Sequence, residues 1–173
     1  MRTGLIYAFL AMIFAIVISN ILVEIPINNW LTYGAFTYPL TFLVTELTNY
    51  YYGPKLARRV VYIGFLVAFF LSLFLANIQI ACASACAFLV GQLLDIGVFT
   101  HLRRRSWWLA PTLASFLGSL IDTLVFFSLA FWGQGLLILT LGAGDLGIKL
   151  VMDLAMLLPF RMFLYRKPRA LYV

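Results

Sequence analysis

The sequence predicts an all-α integral membrane protein of six transmembrane helices, and three observations carry that expectation. Hydrophobic residues make up 64% of the 173-residue chain and charged residues only 10%, with a mean hydropathy of +1.03. A soluble domain of this length has too few polar residues in such a composition to cover its apolar surface. Apolar runs of spanning length recur from end to end, and basic residues mark every second connection between them.

The runs are Leu5–Val23, Leu31–Tyr52, Val60–Ala76, Ile78–Thr100, Trp107–Trp132 and Ile148–Tyr165. Each fits the roughly 17–25 residues that cross a bilayer as a helix. A shorter run, Leu136–Leu141, cannot cross alone and is expected as a cap or a broken lead-in to the sixth helix. Little chain remains for a second unit, so residues 1–173 read as a single transmembrane domain. The first run is expected to be retained, because it is long and no small-x-small cleavage pattern follows it.

A net charge of +6 would suggest a nucleic-acid partner in a soluble protein. Its placement argues otherwise. Arg2, then Lys55, Arg58 and Arg59, then Arg103, Arg104 and Arg105, then Arg161, Arg166, Lys167 and Arg169 all fall on one side of the predicted spans. The opposite connections, Glu24–Trp30, Asn77 and Gly133–Gly147, carry no Lys or Arg. The positive-inside bias therefore places both termini in the cytoplasm, with a basic face toward anionic lipid and no nucleic acid implied.

Five ionisable residues, Glu46, Asp95, Asp122, Lys149 and Asp153, interrupt these runs. A charge at the centre of a membrane helix costs roughly 2.5–3.5 kcal/mol on insertion scales. They must therefore pair, line a polar cavity, or both. Helical spacing sorts the polar groups into stripes. Ser84, Phe88, Gln92, Asp95 and Phe99 share a face of the fourth span, and Pro111, Ser115, Gly118, Ser119, Asp122 and Phe126 one of the fifth. Lys149 and Asp153 stand four apart in the sixth. The second span carries Thr41, Thr45, Glu46, Thr48 and Asn49 and is expected to break near Pro39, which lacks a backbone donor. The first holds Asn20 and a small-residue strip of Ala8, Ala11, Ala15 and Ser19. The third is nearly all apolar and is expected to face lipid.

Each group has a purely structural alternative. Lys149 and Asp153 can neutralise each other, Gln92 and Asp95 can bind helices together, and Glu46 can reach water or Arg58. Four helices with coincident polar stripes nonetheless favour a cavity. The candidate substrate-binding residues are Asn20, Glu46, Asn49, Gln92, Asp95, Ser115, Asp122 and Lys149. Asn20, Asp122, Lys149 and Asp153 are expected from the midplane outward, and Glu46, Asn49, Gln92, Asp95 and Ser115 in the cytoplasmic half. Phe36, Tyr38, Phe42, Phe88, Phe126, Phe127 and Trp132 are candidates to stack on a flat ligand.

Other chemistry is poorly supported. Cys82 and Cys86 lie one turn apart with no histidine near, His101 being at the helix end, so they read as small packing residues rather than a metal site. No cofactor is implied. An intramembrane enzyme would need a nucleophile with its base, and no such pairing occurs at motif spacing.

Several segments resemble one family: Ser19-Asn20, Tyr38 through Asn49, Gln92-x-x-Asp95, Trp107-Trp108-Leu-Ala-Pro111, Ser115-x6-Asp122-Thr123, and Lys149 with Pro159. It is the queuosine precursor transporter family, also called the vitamin uptake transporter family, and the likeness runs from the first span to the sixth. The resemblance implies import of 7-cyano-7-deazaguanine and 7-aminomethyl-7-deazaguanine across the bacterial inner membrane for queuosine modification of tRNA. It also implies a fold similar to the substrate-binding components of energy-coupling-factor transporters. Two departures stand out: the loop before the fourth span is nearly absent, and Glu46 replaces an expected Asp. A 7-deazaguanine offers adjacent N–H donors that one carboxylate accepts as a pair, while its carbonyl seeks a donor such as Lys149, Asn20 or Gln92. A stand-alone carrier is the main expectation. A homo-oligomer, or a complex with an ATPase-driven partner suggested by Ala11-x3-Ala15, is the alternative.

Overall fold

The computed structural model describes residues 2–23, 25–28, 31–75, 78–132 and 135–166. Its helices are α1 (Arg2–Val23), α2 (Gly34–Thr37), α3 (Leu40–Tyr52), α4 (Pro54–Leu75), α5 (Ile78–Leu102), α6 (Leu109–Ala130) and α7 (Gly135–Arg166). A two-strand hairpin, β1 (Pro26–Asn28) and β2 (Leu31–Thr32), joins α1 to α2. Among the described residues, four helices are long and apolar enough to cross a membrane: Gly4–Leu22, Pro54–Leu75, Ile78–Leu102 and Leu109–Ala130. The chain is thus a multi-pass, helical membrane protein. Glu24, Asn29, Trp30, Asn77, Gly133, Gln134, Lys167 and Arg169 lie outside the described residues.

Successive long helices run in alternating directions. At one end Tyr51 donates to the carbonyl of Phe163 at 2.6 Å, and Arg103 to that of Asn49 at 3.4 Å. This is the basic end, where Lys55, Arg58 and Arg59 are exposed. At the other, the hairpin end, Ser72 donates to Asn20 at 3.0 Å, and Gln79 caps the last carbonyls of α6, Leu129 and Ala130, at 3.1 and 3.2 Å. The turn from α3 to α4 depends on Gly53, whose φ of +83° suits glycine alone, followed by Pro54 at the first helical position.

Three sequence expectations change. The second passage begins at Gly34 rather than Leu31, because Leu31 and Thr32 pair in the hairpin; the break at Tyr38 and Pro39 is where the proline was expected to make it. Leu136–Leu141 is neither a cap nor a broken lead-in but the first turns of α7, which runs unbroken for 32 residues, or about 48 Å. Its glycines 142, 144 and 147 weaken a helix in water, yet within a bilayer only the helix satisfies every backbone group locally. Finally, α4 faces lipid on one side only. Tyr62, Leu66, Phe70 and Phe74 are exposed, while Val60, Val61, Gly64, Ala68 and Ser72 pack inward.

α5 is the central helix, packed along α6, α4 and α3. Its small residues Ala81, Ala83, Ala85 and Ala87 are buried, but Cys82 and Cys86 are exposed and take no part in that packing. Close approach of α5 and α6 requires Gly91 and Gly118. A Cβ on Gly91 would lie 3.0 Å from the Gly118 carbonyl, and one on Gly118 would lie 2.6 Å from the Phe42 ring. Small residues at such a seam let dispersion contacts form where lipid tails offer no hydrophobic driving force. Two apolar clusters flank the polar interior, one around Met12, Ile16, Val61 and Phe88, the other around Leu43, Phe99, Ala114 and Phe160. In α1, Ala15 and Ser19 of the small-residue strip are buried inside the chain itself.

Candidate substrate cavity

Toward the hairpin end a partly open cavity of about 120 Å³ is bounded by α1, β2, α2, α5, α6 and α7. A single water needs roughly 10–15 Å³ of such space, so several waters or a small ring fit. Its wall includes Ser19, Asn20, Tyr38, Phe126 and Ala87, and its charged residues are Asp122, Asp145 and Lys149.

Pro39 positions the first part of this wall. By breaking the helix it leaves Tyr38 at the mouth of α3, with its ring 4.9 Å from the Lys149 ammonium and its hydroxyl donating to Asp122 at 2.5 Å. α6 contributes Asp122 and Thr123, and α7 contributes Asp145 and Lys149. Lys149 lies 2.9 Å from Asp122 and 2.6 Å from Asp145, and it donates to Thr123 at 3.3 Å. Thr123 in turn donates to Asp145 at 3.1 Å. Two carboxylates thus share one ammonium, which leaves one negative charge in excess. Each carboxylate oxygen accepts at two lone-pair sites, so Asp122 has acceptor capacity beyond Tyr38 and Lys149. Asp145 is the more open of the two, with 21% of its side chain exposed against 5% for Asp122. On the α1 side, Asn20 accepts from Ser72 and donates to Ile16 at 3.0 Å. Ser19 Oγ is buried without a hydrogen-bond partner among the described residues.

Of the candidate residues, the cavity brings together Asn20, Asp122 and Lys149. It does not reach Glu46, Asn49, Gln92, Asp95 or Ser115, which are buried nearer the basic end. Gln92 is engaged by α3, donating to Thr41 at 2.9 Å and accepting from Thr45 at 2.5 Å. Asn49 donates to Thr100 at 2.9 Å and to the Ile96 carbonyl at 3.2 Å. Ser115 donates to the carbonyl of Pro111 in its own helix at 2.7 Å. Glu46 and Asp95 are 3% and 0% exposed, and both oxygens of Asp95 and Oε1 of Glu46 lack a partner among the described residues. The exposed Arg58 does not share the burial of Glu46.

Asp153 corrects the expected pairing. It accepts from Ser119 at 2.7 Å rather than from Lys149, and it sits within electrostatic reach of Glu46 and Asp95. Lys149 and Asp122 are within its electrostatic reach too, so it stands between the cavity and the deeper group. The counter-ion on α7 is Asp145, which sequence reasoning assigned to a connecting loop. A signal existed. Helical side chains lean toward the N-terminus, so a lysine reaches a carboxylate four residues before it more readily than one four after. Of the candidate aromatics, Tyr38 and Phe126 line the cavity; Phe42 and Phe88 are in the packed interior and Trp132 is exposed.

A family described as "Putative vitamin uptake transporter" matches residues 32–79 and 70–164. The chain is 37% identical over 138 residues to the queuosine precursor transporter of Escherichia coli (strain K12), which covers 66% of this chain and 62% of that protein. It is 33% identical over 167 residues to a protein of Haemophilus influenzae named "Probable queuosine precursor transporter", covering 76% of this chain and 71% of the relative. A third relative with the same name, from Bacillus subtilis (strain 168), is 27% identical over 130 residues. The match thus spans about three fifths of the Escherichia coli relative's length. No solved structure matches. These relatives are named as transporters, not enzymes, and the chain belongs to the putative vitamin uptake transporter family.

Proposed function

We propose that this protein imports a 7-deazaguanine precursor of queuosine across the bacterial inner membrane, through six passes with both termini cytoplasmic. The observation that carries this reading is the cavity in which Asp122 and Asp145 flank a single Lys149 beneath Tyr38. Its excess negative charge and free acceptor sites suit a ligand rich in N–H donors. The pyrimidine edge of a deazaguanine places two such donors where one carboxylate accepts both. Asp122 and Asp145 are the partners for that edge and for the aminomethyl cation, held in place by Lys149, whose three N–H groups go to Asp122, Asp145 and Thr123, while the second amide N–H of Asn20 is a donor for the ring carbonyl. Tyr38 and Phe126 supply faces for the flat ring. An analogue without these groups would leave buried acceptors unpaired, which is how such a site discriminates. The six passes pair the four long apolar helices with the broken α2–α3 segment and with α7, whose Lys149 and Asp153 are buried inside the chain rather than facing lipid.

The experiment is uptake in cells unable to make the precursor, scored by queuosine in tRNA. Expression of this chain restores queuosine when a 7-deazaguanine is supplied at low concentration, and excess guanine competes weakly. Restoration by an unrelated vitamin, with no response to deazaguanines, would refute the reading. Copurification of a second membrane subunit with ATPases would instead identify a binding subunit of an energy-coupling-factor-type importer.

A further inference from the structure

Below the cavity, three helices bring carboxylates together that the substrate reading does not use: Glu46 on α3, Asp95 on α5 and Asp153 on α7. They are 3%, 0% and 6% exposed. Glu46 lies within electrostatic reach of both others, and Asp95 within reach of Asp153. The hydrogen bonding around them is incomplete. Asp153 accepts from Ser119 through Oδ2, but its Oδ1, both oxygens of Asp95 and Oε1 of Glu46 have no donor among the described residues. The nearby amides are committed elsewhere, Gln92 to Thr41 and Thr45 and Asn49 to Thr100 and Ile96. Among the described residues Glu46 and Asp95 have no cation as an electrostatic neighbour, while Asp153 has Lys149. Lys149 is held by Asp122 and Asp145, Arg103 bonds the backbone of Asn49, and α4 turns Val60, Val61, Gly64 and Ala68 inward while Lys55, Arg58, Arg59 and Tyr62 are exposed.

An anionic carboxylate removed from water without donors is so costly that it persists only as the neutral acid or with a bound cation. A metal ion would need several oxygens at one point. No three of the described acidic, cysteine or histidine side chains are grouped closely enough to hold one. A proton needs a single oxygen and no coordination shell. We propose that Asp95, with Glu46 and Asp153 as its electrostatic neighbours, is a proton-binding site that couples substrate import to the proton gradient. One proton taken up by a carboxylate oxygen from the outer side would be released to the inner side with each transport cycle. Burial of Asp95 without a hydrogen-bond donor holds the proton in this state, and reorganisation of α3 and α7 around α5 during import would change those surroundings and release it. The inference rests on the import reading above.

The test uses the full chain purified into lipid bilayers. Infrared spectra of the substrate-free protein at neutral pH should contain the carbonyl stretch of a buried carboxylic acid, which disappears in Asp95→Asn. Absence of that band in the wild type overturns the proton site, whether or not the variant folds. In the same vesicles, an alkaline interior should raise deazaguanine uptake severalfold, and a protonophore should abolish the increase. Uptake that proceeds at one rate with and without the gradient overturns the coupling. If the band is present but purified protein binds no deazaguanine, the proton site stands and the import reading falls, so the two failures are distinct.

Discussion

Lys149 lies closer to Asp145, at 2.6 Å, than to Asp122, at 2.9 Å. Asp122 is thus one of two counter-ions rather than the sole partner of a buried ammonium. Changing Asp122 to Asn keeps its shape, leaves Lys149 paired with Asp145, and turns one acceptor into a donor facing the donors of the ligand. We expect Asp122→Asn to insert normally and to lose uptake.

The double variant Asp122→Asn with Lys149→Met separates gripping from neutralising. If the two residues only balance each other, removing both charges restores uptake. We expect the double variant to remain inactive, because Asp145 already balances Lys149 and the lost function is the acceptor itself.

Lys149→Met alone should be the most destabilising change at the cavity. It leaves Asp122 and Asp145 facing each other without a cation, and breaking a buried pair on one side costs about 3–5 kcal/mol. A thermal melt in detergent should show a far larger drop than for Asp145→Asn, whose partner Lys149 still has Asp122.

The spacing of the polar residues identified most of what is buried. Gln92, Asp95, Ser115, Ser119 and Asp122 recur every three or four residues, and all five are inward. Spacing says which face is buried but not which groups on it meet. Gln92 turned out to serve Thr41 and Thr45 rather than Asp95 or a ligand, because α3 brings two hydroxyls opposite its amide. Asp145 was hidden by its surroundings, Leu141-Gly-Ala-Gly-Asp145-Leu-Gly, whose glycines signal a loop in water. In a bilayer the demand for backbone hydrogen bonds overrides that signal. Tyr38 was legible only as an aromatic, since its reach to Asp122 depends on a partner 84 residues away.

The Gln92 network gives a second structural test. Thr45→Val strips the Gln92 carbonyl of its donor and should cost about 1–3 kcal/mol. Adding Gln92→Leu removes the orphaned group and should recover most of that stability, as measured by melting. A folded double variant should also retain uptake. Loss of uptake in it would place Gln92 on the substrate instead.

Topology is testable separately. Reporters inserted within Arg103–Arg105 should report cytoplasm, and one near Gln134 should report the outer side. A cytoplasmic signal near Gln134 would contradict six passes.

Direct binding to the purified protein tests the central claim most closely. Labelled 7-aminomethyl-7-deazaguanine should bind saturably, be displaced by the 7-cyano form, and be displaced only weakly by guanine. In Asp122→Asn the affinity should fall about 10- to 150-fold, the equivalent of the roughly 1.5–3 kcal/mol carried by a hydrogen bond to a charged group. Equal affinity in the wild type and in Asp122→Asn would contradict the assignment of this cavity as the substrate site.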